Sequence, residues 1–126
     1  MSEGTEQREI VKWYRETYPE YARSLRISQT GGHIGKGKSA AIRNAHSRSM
    51  GRVDGESDIA ILLPRGPYAS FLMEYKASDG LYKATKKQED YLEYHNTVGN
   101  LAVLCRGVDV AKAAITQYME LPDEAG

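Results

Sequence analysis

The sequence predicts an α/β fold with a mixed β-sheet flanked by helices, and three observations carry that reading. Two apolar runs, 58–63 (DIAILL) and 68–75 (YASFLMEY), flank Pro64-Arg65-Gly66-Pro67, so the stretch reads as a β-hairpin. A short continuous apolar run at 101–105 (LAVLC) suits a buried strand. A helical stretch precedes it, so it can pair in parallel within the same sheet. Apolar residues spaced for one helical face lie at Ile10, Trp13, Tyr14 and Tyr18, and again at Ala111, Ala114, Ile115, Tyr118 and Met119.

In chain order, residues 3 to about 18 are rich in helix formers, and Pro19 ends that helix. The alternating 24–28 (SLRIS) reads as a short strand. A Gly-rich loop at 29–38 leads to a short basic helix at 39–50, with Ser39 near its N-cap, and a turn at 51–55 enters the hairpin. After a polar loop at 77–84, Thr85-Lys86-Lys87-Gln88 has the capping-box pattern and opens a helix to about 96. Gly99 breaks the chain before the last strand, and Asp109 is expected to cap the final helix.

The hairpin brings charged groups together. If Leu63 faces Tyr68, paired positions sum to roughly 131–132, which sets Asp58 opposite Met73 or Glu74. Alternation puts Glu74 and Lys76 on one face and Tyr75 on the other. Two carboxylates and an amine then converge at the open end of a sheet. Burying them together is costly unless something compensates, and a divalent metal is the obvious candidate.

At 126 residues the chain reads as one domain, 1–126, with 40% hydrophobic and 27% charged residues, a globular composition. The polar start is no signal peptide and no run reaches membrane-spanning length, so no membrane partner is expected. A single cysteine, Cys105, excludes an intramolecular disulfide and suits a reducing, cytoplasmic compartment. Net charge is zero, but residues 22–52 hold seven Lys/Arg (Arg23, Arg26, Lys36, Lys38, Arg43, Arg48, Arg52) and no Asp or Glu. Such asymmetry points to a polyanion, with Lys36, Lys38, Arg43, Arg48 and Arg52 as DNA-binding candidates. The three histidines, His33, His46 and His95, lack metal-ligand spacing.

Four elements in order resemble the PD-(D/E)XK nuclease superfamily, and more closely its virus-type replication-repair (VRR-NUC) branch. They are Glu3-Gly4-Thr5-Glu6-Gln7, Gly55-Glu56-Ser57-Asp58, Glu74-Tyr75-Lys76 and Thr85-Lys86-Lys87-Gln88. One departure is Ser57, where the family usually has Pro. The resemblance implies a restriction-endonuclease-like core and a metal-dependent DNA endonuclease using Mg2+ or Mn2+. It implies Asp58, Glu74 and the backbone carbonyl of Tyr75 as metal ligands, with Lys76, Gln88 and Glu3 completing the catalytic set. The spacing to Gln7 selects Glu3, while Glu6 and Glu9 are the other N-terminal carboxylates that could reach the site. Gln88 also has a purely local reading, as the last member of its capping box. Standalone members of this branch look like homodimeric nucleases for branched DNA such as four-way (Holliday) junctions, which implies a homodimer of phage or bacterial origin. Trp13 and Tyr14 are the candidate exposed aromatics for its interface.

The residue types suit phosphodiester hydrolysis. Hard carboxylate oxygens hold Mg2+ or Mn2+, the ion activates water and polarises phosphate, and Lys76 can orient the water or steady charge on phosphorus. Two other readings compete. Residues 32–39 (GHIGKGKS) match the P-loop pattern of an NTPase, although too little chain follows for a long parallel sheet. A non-catalytic DNA-binding module would keep the basic segment but would not need Asp58, Glu74 and Lys76 together.

Overall fold

The computed structural model describes residues 3–28, 57–80 and 83–123. Helix α1 (Glu3–Thr17) is followed by a 3-10 turn (Pro19–Ser24) and strands β1 (Leu25–Ile27), β2 (Ile59–Ile61) and β3 (Phe71–Lys76). Helix α2 (Lys86–Thr97), β4 (Leu101–Arg106) and α3 (Val108–Met119) complete the described elements. The strands form one sheet in the order β1-β2-β3-β4. β1 with β2 and β2 with β3 are antiparallel, while β3 with β4 is parallel, so the sheet is mixed as the sequence predicts. The basic helix expected at 39–50, the P-loop-like stretch, Lys36, Lys38, Arg43, Arg48 and Arg52 lie outside the described residues.

Alternation along β3 sets up two faces. Phe71, Met73 and Tyr75 point to one side, with Leu25, Ile59, Ile61 and Cys105. They pack against Ile10, Val11 and Tyr14 of α1 and Ala111, Ile115 and Tyr118 of α3, which form the core. The opposite face carries Leu72, Glu74 and Lys76, and α2 lies against it beside β4. All six residues of β3 are buried, so this central strand separates the apolar layer from the charged one.

Several expectations are corrected. The hairpin strands are shorter than their apolar runs, and residues 62–70 form the connection, pinched by an Arg65–Tyr68 bridge. Prolines at 64 and 67 remove backbone donors, so the ladder cannot continue through them. β4 lies beside β3 alone in the described sheet, and Leu104 is exposed. At Ala102 its backbone is satisfied by Asn96: the side-chain amide donates to the Ala102 carbonyl and accepts from the Ala102 N–H, both at 2.9 Å. Asp109 is not the cap of α3. Gly107 holds that position at φ 90°, a conformation that favours glycine, and Asp109 sits in the first turn. Tyr14 is fully buried rather than exposed, and its hydroxyl meets Ser24 Oγ at 2.8 Å, so it offers nothing to a partner subunit.

Candidate active site

The hairpin register places the charged groups. Ile59 pairs with Met73 and Ile61 with Phe71, so partners sum to 132 and Asp58, one residue before β2, lies across from Glu74. Asp58 no longer pairs through its own backbone with β3. Its carboxylate Oδ2 instead accepts the Tyr75 N–H at 2.8 Å. In an extended strand the N–H and C=O of one residue leave on the same edge, so the Tyr75 carbonyl also points to the Asp58 side.

Glu74 is 1% exposed, and Lys76 Nζ lies 3.6 Å from its Oε1. Burial, and then the Asp58 charge beside it, push the Glu74 carboxyl up to about 8. Burial also raises Asp58, against the lowering effect of the Tyr75 N–H, and the two carboxyl groups lie within hydrogen-bonding reach of each other. With Glu74 buried and Asp58 half-buried, two carboxylates this close resist ionising together, even though Lys76 lowers both. Among the described residues, Glu74 Oε2 is the buried side-chain oxygen left without a hydrogen-bond partner. A buried orphan acceptor is costly, and a cation on the Asp58 side would satisfy it.

Gln88 fulfils both of its readings. Thr85 Oγ1 accepts from the Gln88 N–H at 3.2 Å, and Gln88 Oε1 accepts from the Thr85 N–H at 2.8 Å, so the capping box forms. The same Oε1 accepts from Lys76 Nζ at 3.2 Å. The start of α2 thus fixes the amine, which would otherwise swing on a flexible four-carbon stem.

The three N-terminal glutamates separate cleanly. Glu3 interacts with the Asp58 and Lys76 charges and accepts a hydrogen bond from the Ala77 backbone, and burial is the main reason its pKa is raised. Glu6 is 2% exposed and lies beneath the strand, accepting from Tyr75 Oη at 2.6 Å, Ser78 Oγ at 2.7 Å and the Ser78 N–H at 3.0 Å. The hydrogen bond from Tyr75 comes first among the contacts that hold its pKa down. Glu9 turns away to Lys112 at 3.6 Å. The Glu6 clamp was missed by sequence reasoning. A buried Glu is unexpected on an apolar stripe, and only Tyr75 and Ser78, about seventy residues on, explain it.

Asp58, Glu74, Lys76, Gln88 and Glu3 therefore meet at the end of β3 and the starts of α1 and α2. Among the described residues no three His, Cys, Asp or Glu side chains converge to hold an ion. The carboxylate donor set is the Asp58–Glu74 pair. That pair, with one orphaned oxygen and an adjacent carbonyl edge, fits a hard cation of few carboxylates, whose remaining positions go to water and substrate oxygens.

A mixed sheet with this order, flanked by helices and carrying its charged groups at the end of the central strand, defines a restriction-endonuclease-like fold. A solved structure described as a VRR_NUC domain protein superposes with a TM-score of 0.83, covering 100% of this chain and 93% of that one at 23% identity. The chain thus has the VRR-NUC fold. No protein-family model and no curated protein matches it.

Proposed function

We propose that this protein is a metal-dependent DNA endonuclease. The observation that carries the reading is the Asp58–Glu74 carboxyl pair, Glu74 buried with its Oε2 unsatisfied and Asp58 half-buried, beside the Lys76 amine. Asp58, Glu74 and the Tyr75 carbonyl would hold Mg2+ or Mn2+, whose chemistry there is to activate water and neutralise phosphate charge. Lys76, held by Gln88 and Glu74, steadies negative charge on the attacked phosphate. Gln88 positions that amine. Glu3 supplies a further carboxylate at the rim, able to orient water. Lys36, Lys38, Arg43, Arg48 and Arg52 supply phosphate contacts.

Branched DNA is the proposed substrate and a homodimer the proposed form, because a two-fold assembly presents two clefts at fixed separation to a two-fold symmetric four-way junction. The test incubates the purified protein with labelled junction, flap and linear duplex in Mg2+, Mn2+ or EDTA, with Lys76→Ala as control. Junction cutting that needs metal and is lost in Lys76→Ala is expected. Cutting of flaps or linear duplex alone would keep the chemistry and discard the junction. Full activity of Lys76→Ala would sink the active-site assignment. A thermal-shift titration gives an independent readout: Mg2+ or Mn2+ should raise the Tm of the wild type but not of Asp58→Asn/Glu74→Gln.

A further inference from the structure

Along the outer side of α1, Arg8, Lys12 and Arg15 follow one another at i, i+4 and i+7, the spacing that stacks side chains on one helical face. All three are exposed, and none forms an ion pair among the described residues. They border a groove of about 500 Å³ floored by the aliphatic Val11 and Ile27. Five acids lie in residues 3–28, but Glu6 is buried in its clamp, Glu9 faces Lys112 and Glu3 faces the cleft. Only Glu16 lines the groove, so its walls are net cationic.

We propose that this ridge binds the phosphate backbone of duplex DNA flanking the cleft. The proposal rests on the nucleic-acid reading above and gives it a contact surface. α1 begins at the cleft with Glu3, and at about 1.5 Å per residue Arg8 lies about 7 Å and Arg15 about 18 Å further along the axis. From Arg8 to Arg15 the helix advances about 10 Å, the rise of about three phosphates of one strand. Ile27, in the floor, precedes Ser28, whose N–H donates to the Asp58 carbonyl at 2.8 Å. The floor of the groove therefore reaches the same end of the sheet as the cleft. The apolar face of α1 is already committed to the core through Ile10, Val11 and Tyr14, so the helix offers charge rather than an insertion surface.

The test measures binding of a labelled 30-bp duplex in EDTA across a salt series, comparing the wild type with Arg8→Gln/Lys12→Gln/Arg15→Gln. Each phosphate contact adds about 0.9 to the slope of log affinity against log salt, so the triple variant should be shallower by about 2–3. Between about 50 and 200 mM salt the wild type should then lose about 40-fold more affinity than the variant. Glu16→Gln should bind more tightly than wild type, and it decides the matter alone if the triple variant does not fold. An unchanged slope in the folded triple variant, or unchanged affinity in Glu16→Gln in that fallback, overturns the ridge. Cleavage is scored separately. Cleavage with an unchanged slope overturns the ridge alone, whereas neither cleavage nor DNA binding overturns the nuclease reading as well.

Discussion

Glu74 shows what a single side chain carries here. Its carboxyl titrates near 8 in the folded chain and in the ordinary carboxylate range when unfolded. Below that range both states are protonated and the group contributes nothing to the pH dependence. As pH rises towards 8 the unfolded chain ionises first, so stability is lost. Without metal, Tm should fall between about pH 5 and pH 8, and Glu74→Gln should flatten that slope in a thermal melt. Cys105 behaves differently: burial pushes its thiol up to about 11, so iodoacetamide at about pH 8 should label it only as fast as the protein opens. At this scale the sequence was informative where chemistry follows spacing. Asp58, Glu74 and Lys76 could be brought together by hairpin arithmetic alone. Glu6 could not, because its partners Tyr75 and Ser78 are fixed only by how α1 crosses the sheet.

Among the elements, α2 links local and tertiary structure. Its capping box was legible as four residues, but the Gln88 contact to Lys76 needed the packing of α2 on the sheet. Thr85→Ala should cost about 1 kcal/mol, read as a lower denaturation midpoint, because one orphan N–H loses its acceptor. On the proposed nuclease reading, Gln88→Ala should lower kcat as well, because Lys76 loses its second acceptor. The start of α3 misled for a definite reason. Asp109 has the right side chain for a cap, but Gly107 at φ 90° turns the chain, and its N–H donates to the Lys76 carbonyl at 3.1 Å. Gly107→Ala should destabilise by about 1–3 kcal/mol in urea unfolding, a cost set by the backbone conformation rather than by crowding. The parallel pairing of β4 was legible, but not its position beside β3 alone in the described sheet, since an apolar run does not say which neighbour covers a strand. Asn96 meets β4 at one residue, Ala102, through both its N–H and its carbonyl.

For the whole molecule, the fold class and the mixed sheet were legible because helix and strand periods differ and the hairpin has strong punctuation. The three-dimensional division of labour was not. One face of β3 belongs to the core and the other to the cleft, and α1 serves both through Ile10 and Tyr14 on the one hand and Glu3 on the other. Stability and the proposed chemistry therefore meet in the same helix. Ile59→Ala removes a fully buried side chain beside Asp58 and should cost about 2–5 kcal/mol in urea unfolding. Cleavage by that variant should recover at lower temperature, which separates loss of fold from loss of chemistry.

The period-two alternation of β3 has a bearing on copying errors. A one-residue insertion or deletion inside the strand would turn Glu74 and Lys76 into the apolar layer and send Met73 and Tyr75 towards the cleft. Two charges would then sit where thirteen core residues now pack, and the chain would not fold. A folded but miswired version is thus excluded by the same geometry that builds the cleft. In-frame single-residue slips here, unless a β-bulge absorbs them, should therefore yield unfolded protein rather than a stable chain with altered chemistry.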